Sequence, residues 1–559
     1  MTSLPDVTFN ILDGQLGQVP PSVAGASAKV GICSDGTVGT IYSFGDTSRL
    51  GVLGVGPLVE ALGDTLSVAG GPQYGVPLNP TTYGAASGVT HTGTGVGVVT
   101  PSIAPKRSIA VKVTTGGALA TAQIAFSVNG GQYGAPIPTT AGPGSYAVPG
   151  TLTTVTLAAG TYVINDVYTI ATDGSVTLSG SGPDATHVTH TDSPMDVYDV
   201  LVTIVTGGAV GTAVFTYSVD GGFTTSAPIA TSTKYAIPGT GVVLGFSSTF
   251  TAGDTHEFTT TAASYNNTDV TNGINVLLNS AIEFGFIHLV GMGANAAAAA
   301  ATAAVVDTAM QAARAAYRFI RAYVECPTGE SDATVAAAFA NFASVEGRTW
   351  VCAGDIRHVS SLTGRTERRN CAFVIASRTA QVVAGEDIAY VKRGPIPNIN
   401  PANGLGLYRD EAKTPLLDAA RFCTMRTFQG YPGYFITNGK SMATPGSDFS
   451  YIVDCRVMDA ACRIVRIASL PFVNGSLRVN SDGTIDERDA RVYETLVTRE
   501  LFAGLKTSSP QQISDASVVV DRSANILSTS VEPVSIRITP LGYARQIQLS
   551  IGLNNPALA

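Results

Sequence analysis

The chain has 559 residues, of which 45% are hydrophobic and only 13% are charged. This composition excludes an intrinsically disordered protein, because disorder requires few apolar residues and a high net charge. The net charge of −8 is uneven, with 6 Lys and Arg against 16 Asp and Glu in residues 1–270 and 27 against 25 in residues 271–559; neither part has the basic balance of a nucleic-acid-binding domain.

The first half contains a duplicated sequence. TGGALATAQIAFSVNGG (115–131) recurs as TGGAVGTAVFTYSVDGG (206–222), which predicts two copies of one structural unit. From the flanking similarities we place the copies at 88–174 and 175–263. Short alternating runs separated by turn dipeptides such as Asn129-Gly130 predict a small β-sandwich or barrel for each copy.

Chemistry-bearing residues are sparse in the repeats. His187 and His190 form an HxxH pattern, but no third ligand lies nearby in sequence. Two histidines alone do not make a zinc site. We therefore interpret them as loop histidines and expect no metal.

After residue 264 the pattern alternates strand and helix. Runs of uniform apolar character predict buried strands, and Ala-rich runs predict helices. The predicted strands are 284–291, 318–326, 349–354 and 371–377, and the predicted helices are 294–317 and 331–344, the second capped by Ser331. This order predicts a mainly parallel sheet covered by helices.

One motif in this region is typical of a dinucleotide-binding enzyme. Gly291, Gly293 and Ala296 form GxGxxA between a predicted strand and a predicted helix. The acidic residue expected about 20 positions later is missing at that distance, and Glu325 lies further along the chain. A tight strand-to-helix turn explains the motif as well, so we expect no bound cofactor.

The segment DIRHVSSLTGRTERRN contains the residue types of a hydrolase but not their arrangement. Asp355, His358, Ser360 and Ser361 lie too close in sequence to predict a catalytic triad. Four arginines share the segment, and they predict a solvated or interfacial basic loop. They are Arg357, Arg365, Arg368 and Arg369.

The last third predicts two helices followed by strands. Thr484 and Glu487 have the spacing of a capping box for the second helix. Strands are predicted at 516–521, 534–540 and 545–553. In the final one, Ile547, Leu549, Ile551 and Leu553 alternate with polar residues or glycine, and such a half-apolar strand needs a partner.

The C-terminal sequence resembles that of contractile tail sheath proteins, which occur in phages with contractile tails and in related contractile injection systems. The similar pieces are RVMDAA (456–461), the Gly-Thr-Ile turn into a helix, and PLGYARQI (540–547). The segment GVGPLVEALGDTLSVAGGPQYGVPLN (54–79) resembles the sheath N-terminal region in its succession of GPL, GG and VPL. The repeats have no counterpart in this resemblance.

The resemblance implies an α/β sheath core, with a mostly parallel sheet and helices built from N- and C-terminal parts of the chain, and with two inserted all-β repeat modules. The expected segments are an N-terminal linking arm (1–20), the N-terminal part of the core (21–87), the two repeats (88–174 and 175–263), an α/β core (264–440), a C-terminal sheath domain (441–540) and a C-terminal linking arm (541–559). In this family the arms add strands to sheets of neighbouring subunits. The resemblance therefore implies linkage through Val7, Phe9, Ile11, Ile547, Leu549, Ile551 and Leu553.

The implied function is structural and non-enzymatic: a helical homo-oligomer around a tail tube that contracts and drives the tube through a cell envelope. The expected partners are the chain itself, the tube protein, and baseplate and tail terminator proteins, with membrane contact only through the target cell. The odd number of scattered cysteines, none in a CxxC motif, and the absence of a secretory signal in MTSLPDVTFNILDG predict assembly in the bacterial host cytoplasm, into a virion tail. The alternatives are a non-contracting capsid or tail protein, a surface β-repeat protein, and a dinucleotide-binding enzyme.

Overall fold

The structure, a computed structural model, describes residues 23–291, 293–401 and 406–553. A six-stranded sheet lies at the centre of its core. The strands are β1 (Ser27–Gly31), β2 (Tyr42–Phe44), β3 (Gln73–Pro77), β4 (Phe286–Leu289), β5 (Arg321–Glu325) and β6 (Thr349–Cys352). Their order is β2-β3-β1-β4-β5-β6. Neighbouring strands are parallel except for the pair β2–β3, which is antiparallel. Because β1 pairs with β4, segments on both sides of the repeats build one sheet.

Helices cover both faces of this sheet. The helices of the described residues are α1 (Pro57–Ala69), α2 (Asn267–Leu278), α3 (Ala296–Ala315), α4 (Asp332–Ala338), α5 (Ala372–Gln381), α6 (Ile452–Ser469), α7 (Glu487–Leu501) and α8 (Ile526–Thr529). α2 and α3 pack on one face, around Val30 and Leu289. α5 and the start of α6 pack on the other face, around Tyr323 and Trp350. By length and composition α3 is apolar enough to cross a membrane, but its buried stripe indicates a core helix.

The prediction of a strand at 371–377 is wrong, because this run opens α5. Every residue from 372 to 380 is buried. A helix that is buried all round has the same uniformly apolar sequence as a buried strand, so periodicity cannot distinguish the two.

Three hairpins complete the core and the C-terminal part. They are β7 (Asp355–Val359) with β8 (Thr366–Asn370), β9 (Met425–Phe428) with β10 (Tyr431–Ile436), and β11 (Ile513–Val520) with β12 (Val534–Pro540). α7 packs on the last hairpin through Tyr493 and Val497, which share an apolar core with Val518.

The predicted capping box of α7 is not formed. The N-cap is Asp486, whose side chain accepts a hydrogen bond from the Arg488 amide at 2.9 Å. The Thr484 hydroxyl donates instead to Asp482 at 2.7 Å. Thr484, which the sequence pattern assigned to the helix cap, therefore stabilises the turn before the helix instead.

Two all-β modules lie between β3 and α2. Module A spans residues 109–191, and module B combines residues 90–103 with 199–259. The strands of module A are Ile109–Thr115, Gly117–Ala118, Gln123–Val128, Ile137–Pro138, Gly144–Ala147, Thr154–Leu157, Thr161–Tyr162, Val167–Ile170, Val176–Ser179 and Val188–Thr191. Those of module B are Thr90–Thr92, Val98–Ile103, Asp199–Thr206, Gly208–Ala209, Val214–Ser218, Ile229–Ala230, Lys234–Ala236, Val242–Ser247, Thr249–Phe250 and Thr255–Thr259. Each module has its own apolar core.

The folded modules differ from the sequence repeats 88–174 and 175–263, because the repeats exchange their first two strands. The pairs are Thr90–Thr92 with Thr255–Thr259, Val98–Ile103 with Val242–Ser247, Val176–Ser179 with Val167–Ile170, and Val188–Thr191 with Thr154–Leu157. The chain therefore enters module B, forms all of module A, and returns to complete module B.

Candidate functional site

The hairpin of β11 and β12 presents two open edges. Its register runs from Ile513 opposite Pro540 to Val520 opposite Val534. Within the residues that the structure describes, no third strand joins either side. Open edges carry unpaired backbone donors and acceptors, so this hairpin is able to accept a further strand.

The terminal segment that follows β12 is uncovered. Residues 546–553 have no regular secondary structure, so the predicted strand at 545–553 is not formed within one chain. The four apolar side chains predicted for linkage at this end of the chain are exposed. Their exposed fractions are 76% for Ile547, 77% for Leu549, 92% for Ile551 and 106% for Leu553. Val7, Phe9 and Ile11 lie outside the described residues.

An apolar groove lies beside the same hairpin. It has a volume of about 430 Å³ and runs between the turn after α3, α6 and β12. Its lining includes Phe319, Val465 and Val473 together with Ile536 and Ile538 of β12. Exposed apolar surface of this kind marks interaction sites in proteins. The apolar groove therefore lies next to the unpaired backbone groups at the edges of the hairpin.

The segment predicted as a solvated or interfacial basic loop is not solvated at its centre, so that alternative is wrong, and its buried arginines lie at an interface within the chain. Residues 355–370 form the hairpin β7–β8, where Arg365 and Arg369 are buried. Arg365 donates to Asp196 at 2.5 Å, and Arg369 donates to the same carboxylate. Because Asp196 belongs to the linker between modules A and B, the hairpin binds the insertion to the core.

Three of the four hydrolase-like residues, His358, Ser360 and Ser361, contact carboxylates of α1, whereas Asp355 pairs with Arg368. His358 Nε2 contacts the Asp64 carboxylate, and its Nδ1 lies 3.5 Å from Glu367. Burial lowers the pKa of His358, but the two carboxylates outweigh it and raise the pKa to about 10. Ser360 donates to Glu60 of α1. A histidine held protonated by two acids is not available as a general base.

The GxGxxA turn is filled by protein groups. Tyr265 donates its hydroxyl to the carbonyl of Gly291 at 2.9 Å. At the start of α3, Glu330 accepts from the Ala296 amide at 3.1 Å, and Asn295 accepts from the Ala298 amide at 2.9 Å. The amides that would bind a pyrophosphate therefore already hold a carboxylate and an amide oxygen.

Glu325, the acidic residue considered with the GxGxxA motif, is buried in the sheet. His288 Nε2 lies 2.8 Å from its carboxylate, and burial raises the pKa of Glu325 to about 8.

His187 and His190 contact Asp184 and Asp192, respectively. Across residues 23–291, 293–401 and 406–553, no group of three or more His, Cys, Asp or Glu side chains is arranged to hold a metal ion.

Two family models match the chain in succession. The model described as DUF2586, N-terminal domain, matches residues 4–440, and the model described as DUF2586, C-terminal domain, matches residues 448–558. The chain belongs to the DUF2586 family. The junction between the two models precedes α6, so the open hairpin and the terminal segment are both parts of the C-terminal DUF2586 domain.

Solved structures similar to this DUF2586 chain include a sheath tail protein, a baseplate chain and a chain of a sheath complex. The crystal structure of the sheath tail protein from Desulfitobacterium hafniense matches with 11% identity and a TM-score of 0.39, over 96% of this chain and 100% of that one. A chain of the anti-feeding prophage baseplate matches with 11% identity and a TM-score of 0.36, over 53% and 75%. A chain of the PVC sheath complex in the contracted state, from an extracellular contractile injection system, matches with 11% identity and a TM-score of 0.32, over 44% and 68%. The comparison with curated protein sequences gave no match.

Proposed function

We propose that this DUF2586 chain is the structural subunit of a contractile tail sheath. It polymerises helically around a tail tube and contracts to drive the tube through a cell envelope. The observation that carries the proposal is the row of four exposed apolar side chains in residues 547–553, which follows a hairpin with two open edges. The sheath-like sequence of the C-terminal region supports the same function.

Linkage occurs by strand addition between subunits. Residues 546–553 of one subunit pair with the open hairpin of the next, and the apolar side chains become buried. Each fully buried Ile or Leu contributes about 1.5–3 kcal/mol, and backbone hydrogen bonds fix the register. Because donor and acceptor are different surfaces of the chain, the contact repeats without closing and builds an open helix.

A second linkage through Val7, Phe9 and Ile11 belongs to the same proposal. These residues alternate with polar residues near the N-terminus, as Ile547 to Leu553 do near the C-terminus. Two arms hold the lattice together while the cores slide past each other. Modules A and B stand on the outside of the sheath as an insertion in the core.

The partners that this function requires are the tail tube, the baseplate and the tail terminator, and the location is a virion tail assembled in the bacterial host cytoplasm. The protein acts without a cofactor, a metal or turnover. The occupied amides at the start of α3 and the buried Glu325 support this part of the proposal.

Negative-stain electron microscopy of the purified chain tests the proposal. The full chain should form tubes, and a variant ending at Arg545 should remain as single subunits with an unchanged melting temperature. A full chain that forms no polymer, or a truncated chain that forms normal tubes, contradicts the proposal.

A further inference from the structure

The segment between β12 and the uncovered residues touches the core at one place. The Tyr543 hydroxyl donates to the carbonyl of Gly385 at 2.8 Å. Arg545 Nη1 donates to Asp387 Oδ2 at 2.7 Å. These bonds join residues 158 positions apart in sequence, so they fix the end of the chain to the turn that follows α5.

The Arg545 side chain is held on more than one side. Its guanidinium lies 3.4 Å from the ring centroid of Tyr451 and 5.6 Å from that of Tyr543. The side chains of Arg545 and Asp387 are 23% and 12% exposed. A charge-assisted hydrogen bond combined with aromatic faces is stronger than an exposed ion pair. We name Asp387, Tyr451, Tyr543 and Arg545 the exit clamp.

Contacts end directly after the exit clamp. No hydrogen bond connects residues 546–553 to the rest of the described chain, and the apolar side chains there are exposed. The boundary between a held and an uncovered segment therefore lies at one residue, Arg545.

We propose that Arg545 is a positioning residue of the linkage between subunits: the exit clamp fixes the point at which the terminal strand leaves its own core. This inference rests on the proposed sheath function. At about 3.3 Å per residue, the eight residues 546–553 reach roughly 26 Å from the clamp. The accepting hairpin of the neighbour must lie within that distance of Asp387, so the clamp limits which neighbour receives the strand.

Spin-label distance measurements on single subunits test the clamp without assembly. One label is placed at Gln546→Cys and one at Ala412→Cys, in a Cys462→Ala background, because the other cysteines are buried. The distance distribution should be narrow in this parent, broad after Arg545→Ala, and narrow again after the charge exchange Asp387→Arg with Arg545→Asp. Should Arg545→Ala lower the melting temperature, Asp387→Asn removes the charge with little change of shape and gives the same test. An unchanged narrow distribution in both variants overturns the clamp.

Polymerisation tests the positioning role separately. Loss of the clamp should raise the subunit concentration required for tubes by about tenfold, because the freed backbone must then be ordered during assembly at a cost on the order of 1.4 kcal/mol, a factor of ten. The charge exchange should restore the original concentration. If Arg545→Ala broadens the distances but forms identical tubes at the same concentration, the positioning role is overturned. If the unmodified chain forms no tubes, the proposed function fails, while the distance measurements still decide whether the clamp exists.

Discussion

Asp196 accepts a hydrogen bond from Arg365 at 2.5 Å, and both side chains are buried. This contact joins the linker between modules A and B to the hairpin β7–β8 of the core. Arg369 shares the same carboxylate. The insertion is therefore held by buried charges in addition to its two chain connections.

Replacing Asp196 by Ala should destabilise the protein strongly, because it leaves two buried guanidinium groups without this carboxylate. Breaking a buried ion pair on one side costs about 3–5 kcal/mol. Denaturant unfolding of the full chain measures the effect. The control Asp184→Ala in module A removes an exposed carboxylate, and it should change the free energy of unfolding far less than Asp196→Ala does. Equal stability of Asp196→Ala and the unmodified chain would show that these charges do not hold the insertion.

The pKa of His358 predicts a pH dependence of stability. Its folded value of about 10 lies above the ordinary value of 6.5, so its contribution is fully present below pH 6.5 and is lost as the pH rises towards 10. The contribution of His358 to the free energy of unfolding should fall by on the order of 5 kcal/mol across this window. His358→Gln should remove most of this fall, whereas the control His187→Gln in module A should retain it. A fall of the same size in His358→Gln would exclude His358 as its source.

The exchange of strands between the two repeats predicts which part of the insertion can be deleted while the rest stays folded. The carbonyl oxygens of Ala104 and Ser193 both lie within 3.3 Å of the position that a Cβ on Gly241 would take. Replacing residues 105–192 by a two-glycine linker should therefore remove module A and leave module B folded, with a melting temperature within about 5 °C. Asp35 loses Lys106 and Arg107 as partners, but it becomes hydrated once module A is absent.

Deletion of 88–174, the first sequence repeat, is the matched control. It removes the strands that complete module B, and it also truncates module A, so the variant should unfold at lower temperature or aggregate. If both deletions behave alike in calorimetry, the exchange of strands between the repeats is wrong.

The apolar face of the terminal segment should drive polymerisation. Replacing Ile547, Leu549, Ile551 and Leu553 by Ser should raise the concentration required for tubes at least about 100-fold, since each side chain contributes more than 1 kcal/mol when buried. Sedimentation of polymer against total concentration measures this. Ser substitutions at Gln546 and Gln548, together with Ser550→Thr, alter the other face and should have little effect. Similar losses from both sets would contradict a one-sided apolar contact.

Long elements of the fold could be predicted because their sequences are unambiguous. The Ala-rich run predicted as a helix at 294–317 forms α3 from Ala296 to Ala315, and Ser331 caps α4 by accepting from the Thr334 amide. The run 371–377 could not be assigned, since burial on all sides removes the periodicity that separates helix from strand.

Contacts between distant segments could not be predicted. Nothing in the hairpin sequence indicates that Arg365 and Arg369 meet Asp196, because the acid lies about 170 positions away. The repeats reveal a duplicated unit, but equivalent strands match either copy, so sequence similarity cannot show which copy they complete. Residues 546–553 form no strand in the single subunit, and the proposed linkage to a neighbouring subunit accounts for their alternating pattern.

The central claim is that residues 546–553 add a strand to the open hairpin of a neighbouring subunit. A cryo-electron microscopy map of tubes formed by the full chain tests it most directly. We predict continuous density from Arg545 across a subunit boundary, with Ile547 and Leu549 paired beside β11 or β12 of the neighbour. Density that returns these residues to their own subunit, or that leaves them outside every contact in an ordered tube, would contradict the claim.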